Sequence, residues 1–350
     1  MAQESPPIVL FTYPESVVGR RTEWYLTLRG ISYNLCEVDN KMPRSVLDRL
    51  DVHYRRIPVL AVGRDIYCDS RCIIDHLEKL YTSRPKLGSE HPYERGIEKI
   101  LETWAFDGGL FARTAQMITP DAGLVQHRSW LDDRAELTGV RFSAEGLKGG
   151  VKDALSHARL HLRMVEEELL ADGRQWLSGG QQPGLSDVHV LWIFDWMMRP
   201  KEAMGMAHAY PWLLNEQNYP RTMAWVKRMA DVFNTAQAKH PPRRISDIEA
   251  VKLIESSAFW QADELPVESL DPTGLVRGEE VDLIALDSAS AAGINRRDVG
   301  RLEGLTVTSA TIGTETKNGV HVRIHYQRTN VRVVQAGGKP RLTASEIPKL

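Results

Sequence analysis

A chain of 350 residues is longer than one hydrophobic core usually organises, so two or three domains are expected. With 42% hydrophobic and 26% charged residues the composition is that of a globular protein, and a formal charge of −2 supplies no field to draw it to nucleic acid or to an anionic membrane. No apolar run approaches the ~20 residues that span a bilayer, the first residues lack a secretory pattern, and three cysteines (Cys36, Cys68 and Cys72) fit a reducing compartment, so a cytoplasmic protein is expected.

The first elements follow one another closely. Ile8 to Tyr13 is β-branched and aromatic and stops at Pro14, as a buried strand does. Ser16 to Gly30 has helical periodicity with a glycine stop, and Ile31 to Val38 alternates as a second strand. A short polar helix near 43–51 precedes a third strand, Ile57 to Val62, which opens on a proline. Gly63-Arg64-Asp65 is a turn, Ile66 to Cys68 a fourth strand, and Asp69 to Tyr81 another helix. The predicted order is β-α-β-α-β-β-α.

Pro85, Gly88 and Pro92 mark residues 82–92 as a linker. Helical spacing then dominates to residue 240. Val188 to Met198 is apolar almost all round, which predicts the central buried helix, and Pro220 opens the next one. After His240-Pro241-Pro242 the pattern changes. One helix is expected over 245–259, then short strands at 281–284, 305–307, 320–326 and 331–334. Asn318-Gly319 is a hairpin signal ahead of the alternating Val320, Val322, Ile324 and Tyr326. These strands suggest a small SH3-like barrel. The expected domains are therefore 1–82, 93–240 and 241–350. The last residues, Pro348-Lys349-Leu350, resemble a peroxisomal address except for the proline, a secondary expectation.

Three segments carry chemistry. Val9-Leu10-Phe11-Thr12-Tyr13-Pro14-Glu15-Ser16 joins the first strand to the first helix. Arg56-Ile57-Pro58-Val59-Leu60 opens the third strand, and Asp69-Ser70 precedes an amphipathic helix carrying Ile73 and Leu77. In this order and spacing they resemble the glutathione transferases. Trp176-Leu177-Ser178-Gly179 before Leu185-Ser186-Asp187, and Tyr219-Pro220 with Trp225, extend the resemblance over residues 8–240. It implies a thioredoxin-like domain followed by an all-helical one, with glutathione as co-substrate and no metal, a small electrophile as the other reactant, and a homodimer. The extra β-rich domain at 241–350 is similar to one carried by some fungal members.

The residues suit the ligand the resemblance implies. Glutathione offers two carboxylates, an ammonium and a thiol. Ser70, at a helix N-terminus, offers a hydroxyl and free amides to the γ-glutamyl carboxylate. Asp69 can accept from the ammonium, and Arg56 stands where the family often places a cation for the glycyl carboxylate. Ile57, joined to Pro58 by an expected cis bond, would present its backbone to the cysteinyl residue. The thiol must also ionise. A thiol of pKa ~8.5 is about 3% thiolate at pH 7, and lowering it to ~6.5 takes roughly 2.7 kcal/mol. Ser16 stands where serine-type members keep the activating hydroxyl, and Tyr13 where tyrosine-type members keep theirs. Ser16, an N-cap after Pro14, is weighed first and Tyr13 second.

Other constellations are weaker. Cys68 and Cys72 are separated by three residues rather than the two of a dithiol redox motif, and His157 and His161 lack a third metal ligand. One departure from the family concerns Gly184, which stands where a Ser or Thr usually forms a capping box with Asp187. Three functions are compatible with this reading: conjugation of glutathione to an electrophile, glutathione-dependent cis-trans isomerisation of a conjugated alkene, and a non-catalytic binding or assembly module.

Overall fold

The computed structural model describes residues 6–139, 149–261, 264–286 and 297–337. The expected terminal Pro-Lys-Leu address lies outside them. The N-terminal half follows the predicted order: β1 (Ile8–Thr12), α1 (Val17–Leu28), β2 (Asn34–Glu37), α2 (Ser45–Arg49), β3 (Val59–Val62), β4 (Asp65–Cys68) and α3 (Ser70–Leu80). β1 pairs parallel with β2 and antiparallel with β3, and β3 pairs antiparallel with β4. Every residue of β1, β3 and β4 is buried, which explains why these runs are apolar rather than alternating.

The helical half contains α4 (Pro92–Phe106), α5 (Leu110–Ala115), α6 (Arg128–Thr138), α7 (Val151–Met164), α8 (Leu185–Met198) and α9 (Pro220–Lys239). Leu185 to Met197 of α8 are all buried, as its all-round apolarity predicts. Gly184 costs this helix little, because Asp187 supplies the cap alone. Its Oδ2 accepts from the Gly184 amide at 3.0 Å, and its Oδ1 accepts from Leu177 N and Trp225 Nε1, each at 2.8 Å. At α9, where Pro220 removes one donor, buried Glu166 accepts from the amides of Arg221 at 3.0 Å and Thr222 at 2.8 Å.

The C-terminal segment contributes β5 (Arg243–Ile245), α10 (Asp247–Glu255), β6 (Glu280–Ala285), β7 (Asp298–Leu305), β8 (Ser309–Glu315), β9 (His321–Gln327) and β10 (Val331–Gln335). β6 to β10 form an extra β region that joins the thioredoxin-like strands rather than standing apart as a separate domain. The strand order is β10-β6-β7-β8-β9-β4-β3-β1-β2-β5, one open sheet. β9 pairs parallel with β4 and β5 pairs parallel with β2, so both edges of the thioredoxin-like sheet are extended. The β8–β9 hairpin forms as Asn318-Gly319 predicts, with Gly319 at φ 75°. Two local expectations fail. Residues 306–308 form the turn between β7 and β8, held by Thr306 Oγ1 accepting from Ser309 N at 3.0 Å. The expected helix at 245 starts two residues later, after β5.

The joint between β4 and β9 is a buried polar cluster. Asp65 accepts from Trp260 N at 2.7 Å, from Gln261 N at 3.0 Å and from His325 Nε2 at 2.8 Å. His325 Nδ1 meets Thr311 Oγ1 at 2.9 Å, and its ring stacks on Tyr67. This threonine–histidine–aspartate chain resembles a nucleophilic triad in composition only. All three side chains are sealed from solvent, so its role is to fasten two strands.

Candidate functional site

Sheet register places the three sequence motifs side by side. Phe11 pairs with Val59 and Val59 with Cys68, so the exit of β1, the entry of β3 and the exit of β4 share one end of the sheet. Ser16 with Tyr13, Ile57 with Pro58, and Asp69 with Ser70 are the residues just beyond those strand ends. The Ile57–Pro58 bond is cis, and Asp69 N donates to Pro58 O at 3.3 Å.

Ser16 caps α1. Its Oγ accepts from Gly19 N at 3.0 Å, and its backbone N donates to Tyr13 O at 2.9 Å. Accepting a hydrogen bond does not spend the hydroxyl proton, so Ser16 can still donate. Gly19 is required here: a Cβ would lie 1.9 Å from Thr12 Oγ1 and 2.9 Å from Ser16 Oγ. Tyr13 is half-buried and packs against the core cluster that contains Phe11, Val38 and Ile57.

Asp69 caps α3 from a left-handed conformation, φ 78°, with Oδ1 accepting from Arg71 N at 2.9 Å. Its Oδ2 accepts from Tyr54 OH at 3.2 Å. Burial alone would raise its pKa, but Arg71, and behind it Arg56, hold the carboxyl below its ordinary value, so it is an anion at neutral pH. Arg71 also pairs with Asp107, the C-cap of α4, at 3.3 Å.

Ser70 is fully buried, and its hydroxyl accepts from Arg21 Nη1 at 2.7 Å. Arg21, itself fully buried, pairs with Glu102 of α4 at 2.6 Å and contacts His189 of α8. This cluster ties α1 and α3 to the helical half directly beneath Asp69-Ser70. Sequence reasoning missed it. The one available signal was Arg21, a charge in the otherwise inward-facing run of α1. Arg56 lines the same crevice as Asp69, together with Tyr54 and Arg71.

The cysteines offer no activated thiol. All three are free and buried. Burial pushes the Cys36 thiol up to about 12 and those of Cys68 and Cys72 well above their ordinary value. His161 accepts from Trp104 Nε1 at 3.3 Å, and among the described residues no group of three His, Cys, Asp or Glu is placed to hold a metal ion.

The chain is similar to known proteins in sequence and in fold. The family model for the glutathione S-transferase N-terminal domain matches residues 10–85, and one for a domain of unknown function (DUF7962) matches residues 113–238. Glutathione S-transferase U7 of Arabidopsis thaliana is 26% identical over 61% of this chain and 78% of its own length. Glutathione S-transferase U10 of the same plant is 27% identical over 69% of this chain and 90% of its own. The crystal structure of a GST-like protein from Pseudomonas syringae covers 94% of this chain and 99% of its own, with a TM-score of 0.68 at 21% identity. That likeness extends the shared fold into the C-terminal strands. Residues 10–85 thus match the glutathione S-transferase N-terminal domain, and the chain as a whole is similar to glutathione transferases in sequence and in fold. Among the described residues no helix is long and apolar enough to cross a membrane.

Proposed function

We propose that this protein binds glutathione at the shared sheet end, ionises its thiol at the N-terminus of α1, and adds the thiolate to a small electrophile. The observation that carries the proposal is the position of Ser16. Its hydroxyl caps α1 beside the cis Ile57–Pro58 bond and the Asp69-Ser70 cap of α3. A thiolate there would accept from the Ser16 hydroxyl and gain from the α1 dipole, both of which favour the charged form. Tyr13 is the weaker candidate, because its ring is engaged in core packing.

The remaining roles follow the ligand's chemistry. Asp69 receives the γ-glutamyl ammonium, the first amides of α3 receive its carboxylate, and Ile57 pairs its backbone with the cysteinyl residue, while Arg56, expected at the glycyl carboxylate, shares the Asp69 crevice and so serves the γ-glutamyl end. The Ser70 hydroxyl accepts from Arg21 and keeps its proton, so it can donate to the γ-glutamyl carboxylate beside the backbone amides. In the chemical step the thiol proton leaves to solvent and sulfur forms a bond to the electrophilic carbon. The displaced electron pair departs with a leaving group or takes a proton from water. The electrophile would lie toward Phe106 and Phe111, half-buried rings at the junction of α4 and α5. Phe106 sits 4.7 Å beneath the Arg71 guanidinium.

Retention on immobilised glutathione, with elution by free glutathione, tests the binding. Product mass tests the reaction, because a conjugate gains the mass of glutathione and an isomerised alkene gains nothing. Failure to bind glutathione would remove the proposal.

A further inference from the structure

The sheet end that carries the three motifs has a fourth neighbour. Cys68 of β4 pairs with Tyr326 of β9 in parallel, so β9 leaves the sheet beside Asp69. The turn that follows, residues 328–330, therefore stands next to the cap of α3. We infer that this turn is a wall of the glutathione site and sets its preference for a γ-glutamyl group. The inference rests on the proposed function.

Four observations support it. Asp69, Arg71, Arg56 and Tyr54 share one narrow crevice with Tyr326, Gln327, Thr329 and Asn330, so the N-terminal half does not enclose this end of the site alone. Asn330, held at φ 59°, donates from Nδ2 to Asp107 Oδ1 at 2.8 Å. Asp107 Oδ2 in turn accepts from Arg71 Nη1 at 3.3 Å, and Arg71 Nε donates to Asp69 Oδ1 at 3.3 Å. Tyr54, which donates to Asp69, packs its ring edge-on against Tyr326 at 5.3 Å. The turn thus fixes Asp107 and buttresses Asp69, two carboxylates on either side of one guanidinium. Such an arrangement matches a group carrying both an ammonium and a carboxylate, which is the α-amino-acid end of glutathione. Asn330 is a positioning residue, since it acts through Asp107.

Calorimetry on the full-length chain separates this from a purely structural role. The ligands are glutathione and cysteinylglycine, which keeps the thiol and glycyl end but lacks the γ-glutamyl group. Asp107→Asn should weaken glutathione binding at least tenfold, and Asn330→Gly, which suits the left-handed backbone, at least threefold. Neither change should alter cysteinylglycine binding by more than twofold, and the wild-type preference for glutathione should shrink accordingly. Unchanged glutathione affinity in both variants, or an equal loss for both ligands, would overturn the inference. If the wild-type chain itself binds no glutathione, the proposed function fails rather than this refinement of it. Unfolding temperatures close to wild type establish that each variant is folded, and Asn330→Asp, which keeps the backbone preference but sets a like charge beside Asp107, should weaken glutathione binding at least as much as the glycine variant.

Discussion

At the scale of single residues the proposed function divides the work between a group that ionises the thiol and groups that hold the peptide. Ser16→Ala removes the hydroxyl but leaves the helix dipole and the binding residues in place. Turnover should fall at least tenfold while the glutathione dissociation constant changes less than threefold. Intact activity in that variant, with loss in Tyr13→Phe, would transfer the role to Tyr13. Asp69→Ala should instead act on affinity. A charge-assisted hydrogen bond is worth about 1.5–3 kcal/mol, so binding should weaken roughly ten- to a hundredfold in calorimetry. Part of that loss would come from freeing Arg71, and a parallel titration of Asp69→Asn separates charge from shape.

At the scale of elements, the caps and strands of the N-terminal half were legible because local chemistry dictates them. Pro14 before Ser16, the proline opening β3, and Asp69 before an amphipathic run are each readable within a few residues. The C-terminal strands were less so. β8 is Ser-Ala-Thr-Ile-Gly-Thr-Glu, whose small residues carry little hydrophobic signal because both faces are covered at close range. A Cβ on Gly313 would lie 2.1 Å from Glu303 Oε1, and one on Gly300 would lie 2.5 Å from the Gly313 carbonyl. Leu305-Thr306-Val307 looked like a strand, but the Thr306 hydroxyl captures backbone amides and makes a turn. The pairing of β9 with β4 is non-local and leaves no periodic trace, so the continuous sheet was not readable.

The Arg21–Glu102–His189 cluster between α1, α4 and α8 makes the same point and gives a pH prediction. Burial lowers the His189 pKa to about 3, with Arg21 acting in the same direction against the pull of Glu102. The folded state therefore holds this histidine neutral, while the unfolded chain titrates it near 6.5. Its contribution is complete above about pH 6.5 and is lost as the pH falls toward 3. Burial lowers His76 to about 4 and adds to this slope, whereas burial raises Asp298 to about 6 and opposes it between about 4 and 6. In denaturant melts at pH 7 and pH 5, His189→Asn should lose less stability on acidification than wild type does. Equal losses would show that His189 is not held neutral.

At the scale of the whole molecule, the consequence of the ten-stranded sheet is that the extra β region and the thioredoxin-like strands are expected to stand or fall together. Asp65 is the residue to test. It is fully buried and holds His325 and two backbone amides across the joint. Breaking such a buried polar cluster from one side costs about 3–5 kcal/mol, so Asp65→Ala should lower the stability of both halves by a similar amount in one transition. Two separated transitions, with only the C-terminal strands affected, would contradict the shared sheet. The arrangement also bears on the expected homodimer, because β9 already occupies the β4 edge and any second copy would have to dock elsewhere.

The N-terminus of α1 is proposed to ionise a bound thiol, and the pH titration of that thiol by its ultraviolet difference absorbance in the glutathione complex tests this. A free cysteine-type thiol titrates near 8.5, and the account places the bound one about two units lower, with Ser16→Ala moving it most of the way back. A bound thiol that titrates at its solution value in the wild-type protein would contradict the account.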